Sequence, residues 1–248
     1  MEHQLAYDGS FDGFLTAVFT VYEEQLSPVS ITSHDKFQEG FFEEKLIIYT
    51  DETKANRVWK RLKTFRNFST QVYWSFLSET DGNELVLLKA IEYVLETGNA
   101  GDYGHKMILK TAQLTKMVGR EKHRMEAFVR FKLTGDQIYF AQIEPDFDVL
   151  PLISSHFKNR YADQKWIIYD LKRSYGLYYD LKGVDMIKIE FSDNQSENAI
   201  FAQEEAVFDI LWRDYFKSTT ISSRINMKLH IRHIPKRYWK YLNEKSPR

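Results

Sequence analysis

The sequence predicts an α+β protein: a helical N-terminal half packed on an antiparallel sheet formed mainly by the second half. Three observations point there. Apolar residues recur at helical spacing through most of residues 1–125. From Ala127 onward the apolar runs shorten to strand length and are rich in Tyr, Ile and Phe. Turn residues, not long polar stretches, separate those runs. With 248 residues, 43% of them hydrophobic, the chain can bury one large core or two modest ones. No internal repeat divides it. We read a single domain over 1–248, helix-rich over 1–125, sheet-rich over 126–195, with a C-terminal helix and basic tail over 200–248.

His3–Tyr7 reads as a short strand, and Asp8-Gly9-Ser10 turns into an amphipathic helix with Ser10 as N-cap and Gly13 as a weak point. Phe11, Phe14, Leu15, Val18, Phe19 and Tyr22 give that helix one face to bury, and Ser27-Pro28 ends it. Lys45–Thr50 is β-rich. Helical patterns follow from Asp51 to Trp59, Ser69 to Ser78 and Asn83 to Glu96, with Asp51 and Ser69 as caps and Asp81-Gly82-Asn83 as a turn. The loop Gly98–Gly104 is the loosest linker, and a further helix runs from His105 to Arg124. Ala127–Leu133 and Gln137–Ile143 flank Thr134-Gly135-Asp136 as a β-hairpin. A short helix spans Val149–Tyr161, and Trp166–Asp170, Tyr175–Asp180 and Met186–Phe191 read as strands. Gln203–Phe216 is an amphipathic helix, and the tail is helical from Pro235.

Composition narrows the function classes. Aromatic residues reach 15%, and most of them serve a core. The chain has no cysteine, which excludes disulfides, a thiol nucleophile, a zinc–thiolate site and a thiolate-held iron–sulfur cluster. The opening Met-Glu-His-Gln-Leu-Ala-Tyr-Asp lacks the basic and apolar regions of a secretory signal. No run is long and apolar enough to span a bilayer, so a soluble, cytoplasmic protein without membrane partners is expected. Phosphate-binding Gly-rich loops, dinucleotide-binding glycine patterns and a Gly-x-Ser-x-Gly elbow are all missing from the sequence. No cofactor is expected.

The formal net charge of −1 conceals an uneven distribution. Met1–Ala100 holds nine Lys and Arg against sixteen Asp and Glu, a balance of −7. Gly104–Lys132 carries eight cations against Glu121 and Glu126, a balance of +6. Thr220–Arg248 carries eight against Glu244 alone, a balance of +7. Two segments interleave these cations with flat rings: Gly119–Lys132 and His230–Lys240. Such a mixture suits phosphate contact with base stacking, and the competing reading is a solvated helix face. The candidate nucleic-acid residues are Arg120, Lys122, His123, Arg124, Arg130, Arg160, His233, Lys236, Arg237, Trp239 and Lys240. Some have ordinary structural uses: cations at 120–124 complement a helix C-terminus, and Tyr238 and Trp239 can plug a core. Arg130 and Lys132, alternating on a strand, are expected to share a sheet face with Phe128.

Candidate catalytic groups are fewer. Glu144, Asp146 and Asp148 place three carboxylates within five residues just past a strand, able to act as acid and base or hold a divalent metal. Acidic turns with a proline are also common. His156 and Arg160 are four apart on a short helix, with Asp163 just beyond, so they share a face. His230 and His233 have metal-compatible spacing but no further ligand nearby, and phosphate contact is preferred.

Several ordered segments carry a family resemblance. They are Tyr7-Asp-Gly-Ser-Phe11-Asp-Gly-Phe-Leu15, Val118–Phe131, Glu144–Pro151, His156-Phe157, Arg160-Tyr-Ala-Asp163 and His233–Lys240. Along nearly its whole length the chain resembles a bacterial family labelled "probable DNA metabolism protein", built on domain of unknown function 4130. The resemblance implies a gene neighbour of the radical-SAM class acting in DNA repair or modification. In some bacteria the domain is fused to a uracil-DNA-glycosylase-like domain, for which no sequence is left over here. It carries no established catalytic residues. The lack of cysteine fits a division of labour in which the partner holds the radical-SAM cluster.

The expected function is therefore an accessory factor that binds DNA and works with a radical-SAM partner. One rival is an enzyme acting on damaged bases or DNA ends through Glu144, Asp146 or His156. Another is a protein-interaction module without direct DNA contact.

Overall fold

The computed structural model describes residues 3–36, 44–189, 231 and 233–242. The expected helix at Gln203–Phe216 and residue His230 lie outside them. The chain divides into two compact units, Met1–Gly119 and Arg120–Arg248, and its class is α+β.

In the first unit, β1 (His3–Tyr7) runs between β2 (Pro28–Ser33) and β3 (Glu44–Ile47), and both pairings are parallel. Parallel neighbours need crossovers, and α1 (Phe11–Glu23) supplies the one from β1 to β2. Ser10 caps α1 as expected, its Oγ accepting the Gly13 N–H at 2.9 Å. Gly13 is a packing requirement, not a weak point. A Cβ there would lie 2.2 Å from Asp8 Oδ1 and 2.9 Å from Thr50 Oγ1. Helices α2 (Glu52–Leu62), α3 (Phe68–Phe76) and α4 (Asn83–Thr97) follow. Asp51 caps α2 through the N–H groups of Thr53 and Lys54. The residue at the head of α3 is Asn67, in left-handed conformation with φ 60°, and Ser69 lies inside the helix. Leu5, Tyr7, Phe14, Leu15, Ile31, Leu62, Phe68, Leu88 and Ile91 fill the core of this unit. The first-half helices thus have a three-stranded sheet of their own, which the sequence reading did not anticipate.

Helix α5 (Lys106–Phe128) carries the chain from one unit into the other. It runs one turn past the expected end at Arg124, because its buried stripe continues through Val118, Glu121, Met125 and Val129. Only Lys132–Leu133 is strand (β4), so the expected sheet face of Phe128, Arg130 and Lys132 does not form. Phe128 is helical, and Arg130 Nη1 instead donates to the carbonyls of Ala127 and Val129 at 2.8 and 3.3 Å, closing the helix end.

The second unit holds β5 (Tyr139–Ile143), α6 (Leu150–Arg160), β6 (Trp166–Asp170), β7 (Tyr175–Tyr179) and β8 (Val184–Ile187). Its sheet runs β4-β5-β6-β7-β8. The hairpin across residues 134–136 is antiparallel, as are β6–β7 and β7–β8. The β5–β6 pair is parallel, so the sheet is mixed instead of antiparallel. Helix α6 is the crossover that makes it so. Gly176 on β7 permits the tight β6 pairing, since a Cβ there would sit 2.8 Å from the Ile168 carbonyl oxygen. The C-terminal segment Lys236–Tyr241 is a 3-10 helix. Among the described residues, no helix is long and apolar enough to cross a membrane.

Candidate functional site

The site begins with a carboxylate on an apolar stripe. Glu121 lies three residues after Val118 and four before Met125, so helical geometry turns it inward, and its side chain is 1% exposed. A buried charge needs partners. Its Oε1 accepts the backbone N–H of Asp146 at 2.9 Å and the Tyr238 hydroxyl. Its Oε2 faces Arg124 Nη1 at 3.3 Å and Arg237 Nη2 at 3.4 Å. The two basic segments read from the sequence therefore meet on one carboxylate.

Around it the acidic turn after β5 is drawn in. Arg237 reaches Asp146 Oδ2 at 2.5 Å and the Tyr238 hydroxyl at 2.6 Å, and Lys240 pairs with Glu144. The backbone of the turn is fixed from the other side. Leu171 N–H donates to Ile143 O, Lys172 Nζ to Asp146 O at 3.1 Å, and Arg173 to the carbonyls of Pro145 and Asp146 at 3.3 and 3.2 Å. Arg173 is itself aimed by the fully buried Asp170, 2.7 Å away. Tyr175 donates to Asp148 at 2.5 Å.

Proton affinities follow. Burial and then the Glu121 hydrogen bond push the Tyr238 phenol above its ordinary range. Burial and the Asp148 charge do the same to Tyr175. The Lys240 hydrogen bond holds Glu144 below the usual carboxylate value. Burial raises Asp170 despite the opposing Arg173.

The remaining candidates are placed as follows. Lys122 pairs with Glu126, and His123, 87% exposed, stands 3.9 Å from the same side chain. Arg120 and Lys236 are exposed and have no carboxylate partner among the described residues. Lys236 lies 6.0 Å from the Trp239 ring, whose Nε1 donates to the Ile234 carbonyl at 3.1 Å. Arg160 lies over Tyr161, and His233 and Asp163 are exposed. His156 Nδ1 lies 3.8 Å from Glu126 Oε1, while its Nε2 is buried without a hydrogen-bond partner among the described residues.

Glu144 and Asp146 are thus ion-pair partners of Lys240 and Arg237, and Asp148 is bonded to Tyr175. Among the described residues, no group of three or more His, Asp or Glu side chains is placed to hold a metal ion. The residues missed in the sequence reading are Glu121, Glu126, Asp170, Arg173 and Tyr175. Glu121 had a signal, a carboxylate in register with an apolar helical stripe. Asp170 and Arg173 had none beyond a turn composition.

No curated protein matches the chain. The solved structure of the pGpG-specific phosphodiesterase PggH from Vibrio cholerae is similar over 88% of this chain and 98% of its own. The identity is 10% and the TM-score 0.30, a distance at which neither fold nor activity transfers. The profile of the family described as domain of unknown function DUF4130 matches residues 81–244, and this chain belongs to that family.

Proposed function

We propose that this protein is an accessory factor in DNA repair or modification that binds DNA through the cations gathered around Glu121 and presents it to a radical-SAM partner. One observation carries the reading: Arg124 of α5 and Arg237 of the C-terminal 3-10 helix share Oε2 of Glu121, which joins the two basic segments. The carboxylates hold these side chains in place, and the exposed remainder is available to phosphate. Arg237 is 41% exposed and Lys240 58%. Arg120 and Lys236 add charge that no described carboxylate offsets. Because much of the cationic charge is paired internally, DNA binding should be modest, and the cations left unpaired make it salt-dependent. The partner assignment rests on the family resemblance and on the lack of cysteine.

Charge reversal at Arg120 and Lys236 tests this without touching the Glu121 cluster. The salt slope of DNA binding should fall by about two, roughly one per lost phosphate contact. An unchanged slope would remove Arg120 and Lys236 from the DNA surface.

A second reading, an enzyme acting on damaged bases or DNA ends, is favoured by His156. An imidazole 3.8 Å from a carboxylate, with its other nitrogen lacking a hydrogen-bond partner among the described residues, has the composition of a general-base pair. Turnover of a lesion-bearing oligonucleotide that disappears in His156→Ala while DNA binding persists would establish it. Turnover that survives His156→Ala would dismiss His156 as the base.

A further inference from the structure

The first unit contains a cationic run that the DNA-facing reading leaves unused. From Arg57 to Asn67 the chain carries Arg57, Lys60, Arg61, Lys63 and Arg66 with no carboxylate between them. Three are laid over rings: Arg57 over Phe19 at 4.9 Å, Arg61 over Phe65 at 5.1 Å and Lys63 over Trp59 at 5.1 Å. None of the five pairs with a carboxylate among the described residues.

At the end of this run a cavity of about 420 Å³ lies between the start of α3 and the Gly98–Gly104 loop. That volume is within the range of about 300–1,000 Å³ typical of small-molecule sites. Its lining combines three chemistries. Arg66 is exposed and supplies a planar cationic fork suited to phosphate. Beside it, Asn67 offers no side-chain cap to α3; the Phe68 N–H goes to the Phe65 carbonyl at 3.2 Å, which leaves those of Ser69 and Thr70 to other acceptors. Tyr103, 53% exposed, presents a ring for stacking.

A phosphate and a flat ring are the parts of a nucleotide. We infer that this cavity binds one, with its phosphate at Arg66 and its base against Tyr103. A free 5′-nucleoside monophosphate and the phosphorylated end of a DNA strand share this chemistry. The inference does not depend on the Glu121 surface, since every residue it uses lies within Met1–Gly119.

The test is calorimetric titration of the full chain at low salt. The probes are each 5′-nucleoside monophosphate, inorganic phosphate, and a short 5′-phosphorylated oligonucleotide. The oligonucleotide arm is run in an Arg120→Glu/Lys236→Glu background, so that it reads the cavity separately from the proposed DNA surface. Saturable nucleotide binding, weakened tenfold or more by Arg66→Gln and by Tyr103→Ser with unchanged thermal unfolding, is the expected result. Binding of a monophosphate assigns a free ligand; binding of the oligonucleotide alone assigns a strand end. The inference is overturned by no saturable binding, by binding that both substitutions leave intact, or by inorganic phosphate binding as tightly as the nucleotide.

Discussion

Two clusters of cations in this protein dispose of their charge in opposite ways. Around Glu121, Arg124 and Arg237 face one carboxylate, Lys122 pairs with Glu126, and Lys240 pairs with Glu144. Between Arg57 and Arg66 the cations meet Phe19, Trp59, Phe65 or solvent. A carboxylate cancels the field of its partner, whereas a ring attracts a cation and leaves its charge in place. The first cluster is therefore a clasp with a positive rim, and the second is a positive surface throughout. Cation density along a sequence does not separate the two cases; the partner type does.

The largest expected effect comes from breaking the clasp. Glu121→Ala leaves the Asp146 N–H, the Tyr238 hydroxyl and two guanidinium groups without their shared acceptor. Urea unfolding should show a loss of about 2–4 kcal/mol, at or below the figure for a fully buried pair because both arginines are partly solvated. A loss under about 0.5 kcal/mol, the level of an ordinary surface substitution, would mean that Glu121 is not the clasp.

Next comes the rim. Arg120→Glu with Lys236→Glu should weaken DNA binding about ten- to a hundredfold at low salt while leaving the unfolding midpoint nearly unchanged. An equal loss of stability would place these residues inside the clasp after all. Tyr238→Phe removes one of the donors to Glu121 and should cost about 1 kcal/mol.

The smallest effect has a distinctive pH dependence. Lys240→Met should cost at most about 0.5 kcal/mol at neutral pH, since the pair with Glu144 is exposed. Lys240 lowers the folded pKa of Glu144, so the stabilisation is present above the unfolded carboxylate pKa and is lost as pH falls through the folded value. Wild-type and variant unfolding curves should converge in acid. A gap that persists there would assign the effect to lost packing by the Lys240 stem.

What was legible in the sequence follows the range of each signal. Local signals read correctly: the Ser10 and Asp51 caps, the turn at Asp81–Asn83 and the hairpin around Gly135. Strand β2 was not legible, because Pro28 looked like a terminator. It is the first residue of an edge strand, where a missing N–H is tolerated. The parallel β5–β6 pair depends on how α6 crosses between them, which no strand pattern records. In the candidate site, Asp146 and Arg237 were both singled out as functional, yet they lie 2.5 Å apart as partners. That pairing is a long-range fact. The Arg57–Arg66 run was visible but was averaged away in a −7 balance over the first hundred residues.

The most direct measurement of the central claim is DNA binding across a salt series, on single strands and duplex, for wild type and Arg120→Glu/Lys236→Glu side by side. The account predicts binding that weakens steeply with salt in the wild type, with a slope about two units shallower in the variant. No binding at low salt, or identical slopes, would contradict it.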